Sequence, residues 1–149
     1  MSKSTPESAS AVYPRLPLAR FNKLINLTMS RLFKAHGHNI TREQEVILRE
    51  LSRLDGVNQV DLALRTGQDR NNLSRTRALL ESKELIMRDV CDVDKRNSRV
   101  YITEQGRLLH EEAFSVILEY QAILFKGFSQ QDIDRFSETI QKLITNLSD

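Results

Sequence analysis

The chain has 149 residues, 40% of them hydrophobic and 28% charged, which is one domain's worth with the balance of a water-soluble globular protein. A single cysteine, Cys91, excludes an internal disulfide framework and suits a reducing compartment. The net charge is only +2, but residues 1–100 hold 18 Lys and Arg against 12 Asp and Glu, whereas residues 101–149 hold 4 against 8, so a polyanion would meet the first part and avoid the second.

No apolar run approaches the roughly 18 residues of a membrane span. The Ser-rich stretch Met1–Ser10 lacks the apolar centre of a signal peptide, so the expected location is the cytoplasm. Residues 1–15 read as a flexible arm, since Pro6, Pro14 and Pro17 oppose early helix. Leu18, Phe21, Leu24, Ile25, Thr28 and Leu32 then recur at three- and four-residue spacing, which predicts an amphipathic helix to Ala35, ended by Gly37. Thr41-Arg42-Glu43-Gln44 is a capping box for a second helix carrying Val46, Ile47, Leu48, Leu51 and Leu54. Asp55-Gly56 is a turn pair.

Asn58 caps a short third helix, Gln59 to Thr66, and Gly67 suits the left-handed position after it. A fourth helix starts at Asp69 or Arg70 and runs to about Lys83. Two helices joined by a few residues around a glycine have the sequence form of a helix-turn-helix. Segments 85–91 and 98–102 have strand character and enclose a charged hairpin tip, Asp92 to Asn97. Thr103 opens a long helix toward Lys126, broken by Gly127, and Ser129 to Asp132 opens a last one bearing Ile133, Phe136, Ile140, Leu143, Ile144 and Leu147.

On a wheel of about 100° per residue, Leu73, Thr76, Leu80 and Lys83, with Leu79 nearby, form the core side of the fourth helix. Asn71, Ser74, Arg75, Ala78 and Ser82 form the opposite side, flanked by Arg70 and Arg77. Small residues let a helix approach base edges, Asn pairs with adenine and Arg with guanine. The N-terminal part of such a helix makes the base contacts, which singles out Arg70, Asn71, Ser74 and Arg75. The same residues, taken alone, equally suit a solvated helix face. The hairpin shifts the balance: Lys95, Arg96 and Arg99 are placed to meet a phosphate backbone or a narrow minor groove. Asp94, acidic at such a surface, reads as the residue that pairs with Arg96 or a nearby arginine and shapes the tip.

Leu62-Ala63, Ser74-Arg75, Leu80-Glu81, Leu85-Ile86-x-Arg88, Asp94-Lys95-Arg96 and Ile102-Thr103-x-x-Gly106 together resemble the MarR family of bacterial transcriptional regulators. The resemblance spans roughly residues 18–148, and the Asp-Lys-Arg wing followed by Ile-Thr-x-x-Gly is its most specific part. It implies a mainly α (α+β) fold with a winged helix-turn-helix core, residues 41–103. A helical dimerisation region would be built from both ends, residues 16–40 and 104–149. It also implies a homodimer on a pseudo-palindromic double-stranded DNA operator, usually as a repressor, relieved by a small amphipathic or phenolic ligand or by thiol oxidation. Three positions depart from the family pattern: Glu84 stands where Gly is usual, and Asn72-Leu73 stand where smaller hydroxyl residues are usual.

The long helix is apolar nearly all round from Val116 to Phe125, so it must be buried on more than one side. Cys91 reads as a structural strand residue ahead of a redox sensor. His36, His38 and His110 read as loop- or pocket-lining residues ahead of metal ligands, so no metal or cofactor is expected. No phosphate loop, nucleophile elbow or Cys/His signature points to an enzyme. The alternatives of a different class are a winged-helix protein–protein module and a small-molecule binder without DNA contact.

Overall fold

The computed structural model describes residues 16–89 and 98–148. The expectations for the arm at 1–15, and for Cys91, Asp94, Lys95 and Arg96 at the hairpin tip, lie outside the described residues. The element order is α1 (Leu18–Ala35), α2 (Arg42–Arg53), β1 (Val57–Asn58), α3 (Gln59–Thr66), α4 (Arg70–Ser82), β2 (Ile86–Arg88), β3 (Arg99–Ile102), α5 (Glu104–Leu124) and α6 (Gln130–Ser148). This is the expected mainly helical winged-helix architecture with a small three-stranded antiparallel sheet.

Local chemistry sets the helix ends. The Thr41 hydroxyl accepts from the Gln44 amide at 3.2 Å while the Gln44 side chain accepts from the Thr41 amide at 3.3 Å, closing the capping box of α2. The Ser129 hydroxyl accepts from the Asp132 amide at 3.2 Å, and the Asp132 carboxylate accepts back from the Ser129 amide at 3.0 Å, so α6 is capped reciprocally too. The Ser129 hydroxyl also donates to the Asp132 carboxylate at 2.7 Å, and that bond, with the one from the Ser129 amide, holds the Asp132 carboxyl below the usual carboxylate range. At the far end of α4 the Leu85 amide reaches the Leu80 carbonyl at 3.0 Å and the Glu84 amide reaches the Glu81 carbonyl at 2.9 Å. That is a Schellman close, with Glu84 in the left-handed slot at φ 58°.

The sheet order is β1-β3-β2, with Val57 opposite Val100 and Ile86 opposite Ile102. Strand β1 was not expected. Two residues are too short to show alternation, and the strand exists only through its pairing with β3. One core gathers Ile47, Leu48, Leu51, Leu62, Leu73, Leu80, Val100 and Ile102 from α2, α3, α4 and the sheet. A second gathers Met29, Leu32, Phe33, Ile40, Ala113 and Val116 where α1 crosses α5. Each such side chain contributes roughly 1.5–3 kcal/mol by leaving water. Leu79, expected near the core side of α4, is 53% exposed. It lies more than a quarter-turn round the helix from the line of Leu73 and Leu80.

The long helix begins hard against this core. The Thr103 hydroxyl donates to the Glu84 carbonyl at 2.7 Å and accepts from the Gly106 amide at 3.1 Å. The Thr103 amide donates to the Leu85 carbonyl at 3.1 Å. Gly106 is buried, and a Cβ there would overlap the Leu85 carbonyl and stand 2.9 Å from Ile102 Cγ1. Gly106→Ala should therefore lower stability by about 1–3 kcal/mol, the usual cost of overpacking, read as a lower urea midpoint. Glu84→Gly should act in the opposite direction. Relief of about 1–2 kcal/mol of left-handed strain exceeds the roughly 0.5–1 kcal/mol entropic cost of glycine, so the urea midpoint should rise slightly.

Candidate nucleic-acid interface

Helices α3 and α4 form the helix-turn-helix. The Asn58 side chain caps α3 by accepting from the Asp61 amide at 2.9 Å, and Gly67 turns the chain at φ 65°. The Asp69 carboxylate caps α4 by accepting from the Asn72 amide at 2.8 Å. The Gln68 side chain donates to the Glu43 carbonyl at 3.2 Å and pins the turn to α2. With Leu73, Thr76, Arg77 and Leu80 buried, the opposite face of α4 is fixed outward. Arg70, Asn71, Ser74, Arg75, Ala78 and Ser82 are all exposed on it. Two guanidiniums and two small polar side chains therefore stand together on the first two turns, with no bulky residue between them.

Arg77 departs from expectation. It sits one turn after Leu73, on the inner side, and is 8% exposed. Its Nε lies 3.4 Å from Glu81 Oε1, and the same oxygen lies 2.7 Å from Arg88 Nε on β2. Burial, then repulsion from Arg88, lowers the pKa of Arg77 against the pull of Glu81. Its role is therefore corrected from flanking DNA contact to internal brace between α4 and β2. The Glu81–Arg88 partner was missed by sequence reasoning. The i, i+4 spacing of Arg77 and Glu81 was legible, but the approach of β2 required the fold.

Arg99, on β3, is exposed, and its Nη1 donates to the Gly56 carbonyl at 2.9 Å. It is thus partly committed to the turn before β1, at the base of the hairpin. Lys95, Arg96 and Asp94 are in the segment outside the described residues. The three histidines divide. His36 Nε2 meets Glu119 Oε2 at 2.7 Å, His110 Nδ1 meets Glu45 Oε1 at 3.3 Å, and His38 lines a groove of about 560 Å³ with Lys34 and Lys83. The carboxylate beside His36 comes from a residue 83 positions away and was invisible in the local sequence. Among the described residues no three His, Cys, Asp or Glu side chains gather to hold a metal ion, and no helix is long and apolar enough to cross a membrane.

Residues 40–98 match the sequence model of the MarR family. A MarR-family transcriptional regulator from Silicibacter pomeroyi is 26% identical, superposes with a TM-score of 0.68, and is matched over 87% of this chain and 86% of its own. The MepR–DNA complex of S. aureus is 23% identical with a TM-score of 0.74, over 87% of this chain and 94% of that one. The PcaV regulator of Streptomyces coelicolor, in complex with its natural ligand, is 18% identical with a TM-score of 0.76, over 97% and 98%. Residues 40–98 therefore carry a MarR-type domain, and over nearly its whole length the chain has the fold of solved MarR-family regulators.

Proposed function

We propose that the chain is a transcriptional regulator that binds double-stranded DNA as a homodimer and acts as a ligand-responsive repressor. The observation that carries this reading is the outward face of α4, where Arg70, Asn71, Ser74 and Arg75 stand on the first turns of the second helix of a helix-turn-helix. In such helices this is the part that enters the major groove. Arg75 and Arg70 would read guanine edges or grip phosphate, and Asn71 would read adenine. Lys95, Arg96 and Arg99 would meet the adjacent backbone or minor groove, with Asp94 shaping the tip. MepR, solved in complex with DNA, has the same fold.

Dimerisation is supported by what the single chain leaves uncovered. No described residue of α6 is buried. Phe136, Leu143, Ile144 and Leu147 are 42–89% exposed, as are Phe114, Leu118 and Ile123 on α5 and Leu18, Leu24 and Leu27 on α1 at 48–56%. An apolar cavity of about 400 Å³ lies among Leu18, Phe21, Leu124, Phe128 and Phe136. A contiguous apolar surface of this kind marks an association site. Residues 16–40 and 104–149 would be the dimerisation region, and 41–103 the DNA-reading region. PcaV holds a natural ligand on this fold, which supports a ligand as effector here too; the family resemblance makes it a small amphipathic or phenolic one.

Gel shift against operator-like and random duplexes at two salt concentrations tests the reading. Affinity should fall steeply with salt, because each neutralised phosphate releases counterions. Arg75→Ala should cost about 1–3 kcal/mol on the preferred duplex and less on random DNA. Arg77→Ala should instead lower thermal stability, and should weaken DNA binding only as far as α4 is disturbed. Salt-insensitive binding, or none, would defeat the proposal. In sedimentation the protein should run at twice the 17.2 kDa chain mass, and Leu143→Asp should shift it toward the single chain.

A further inference from the structure

Glu45, on α2, is 1% exposed. A carboxylate so placed is costly unless it is paired and hydrogen-bonded. Its pairing is incomplete. Arg49 Nη1, one turn along the same helix, stands 3.9 Å from Oε2. His110 Nδ1, on α5, stands 3.3 Å from Oε1. Both Glu45 Oε1 and His110 Nδ1 are buried without a well-directed hydrogen bond, so the contact between them depends on charge.

The other polar and charged groups around the pair have partners of their own. Arg42, on α2, is drawn off by the Asn26 side-chain oxygen, Oδ1, of α1 at 3.2 Å. Lys83, at the end of α4, is committed to the Asn39 carbonyl at 2.7 Å and the Gln44 side chain at 3.3 Å. Arg99, from β3, is committed to Gly56. Arg107, one turn before His110, pairs with Asp55 at 3.4 Å, and Tyr120, further along α5, lies toward Arg42. Burial raises the Glu45 pKa above the ordinary carboxylate range, against the pull of Arg49, His110 and Arg42.

The position of the pair gives it leverage. Glu45 belongs to α2, which packs on the helix-turn-helix core, while His110 sits on α5 between that core and the terminal helices. Leu109, its neighbour, packs against both hydrophobic clusters. We propose that Glu45 and His110 form a proton-responsive joint between the DNA-reading region and the long helix, tightening DNA binding when protonated and loosening it as the pair loses its proton. The inference rests on the DNA-binding reading above.

The direction follows from the buried carboxyl. A carboxyl raised by burial contributes stability that is complete at low pH and lost as pH rises through its folded value. The junction therefore weakens as pH rises, and the α4 pair of one dimer would lose its fixed spacing.

The test measures affinity for one duplex at about pH 6 and about pH 8 at constant salt, for the wild type, His110→Gln, Glu45→Gln and His36→Gln. The wild type should bind about fivefold more weakly at the higher pH, a modest allosteric coupling. His110→Gln and Glu45→Gln should change less than twofold. His36→Gln, whose pair with Glu119 is 42% and 46% exposed, should keep the wild-type profile. A pH-independent wild type, a His110→Gln protein with the wild-type profile, or loss of the profile in His36→Gln would each overturn the joint. If no duplex is bound at either pH, the DNA reading fails on its own, and the joint is then judged by thermal unfolding. The wild-type midpoint should fall more between the two pH values than that of His110→Gln, and equal falls would overturn it.

Discussion

The junction where α5 starts is the constraint on which the remaining structure depends. One hydroxyl, that of Thr103, donates to the Glu84 carbonyl and accepts from the Gly106 amide in the first turn of the long helix. Gly106 then lets the helix backbone lie on the Leu85 carbonyl at a separation no side chain would permit. Three elements are fixed at one point: the end of α4, the start of β2 and the start of α5. The outward face of α4 is therefore referenced to the long helix through a few backbone atoms, with no flexible linker between them. The Ile-Thr-x-x-Gly sequence has its physical meaning here, and so does Glu84, whose left-handed backbone closes α4 and whose carbonyl is the one Thr103 holds.

Charge is used inside this frame more than at its surface. Asp55 accepts the Ile102 amide with one oxygen at 2.9 Å and meets Arg107 with the other at 3.4 Å, so a residue at a simple turn joins α2, β3 and α5. Glu81 draws Arg77 from α4 and Arg88 from β2 onto one carboxylate oxygen. Two guanidiniums around one carboxylate leave excess positive charge next to the exposed face, and Arg88, 42% exposed at its side chain, is the member open to solvent. The brace that orients the hairpin thus also adds to the positive field around Arg70 and Arg75.

Most of the helical frame was legible because helices announce themselves locally. The three-and-four spacing of α1, the Thr41–Gln44 box, the Gly67 turn and the Ser129–Asp132 cap all act within a few residues, and the structure has them where periodicity and capping chemistry put them. What was not legible acts across the fold. Strand β1 exists through Val100, more than 40 positions away in the chain. Arg77 looked like a surface cation because its type favours water, yet its helical position is one turn from Leu73, and position prevailed once Glu81 was available to pair with it. Asp55 reads as half of a turn pair and Glu45 draws no reading at all; Arg107 and His110, which they meet, lie on α5, far along the chain. For the proposed DNA face, sequence delivered the exposed set on α4 and missed the residues that hold it.

The two hydrophobic clusters are unequal, and the inequality bears on how the molecule can respond. The helix-turn-helix and sheet close a core of their own with eleven buried residues, while the terminal helices bury only the crossing of α1 and α5 and leave α6 with no buried described residue. The first unit closes among its own elements, whereas the second leaves large apolar side chains of α1, α5 and α6 exposed. Leu109 and His110 lie on the stretch of α5 between the two. A change in packing or charge there need not unfold either cluster to alter their relation. Well-packed cores shift between discrete arrangements more readily than they deform, so an effector of the proposed kind would need to act only at this short segment of α5 to shift the α4 face relative to the terminal helices.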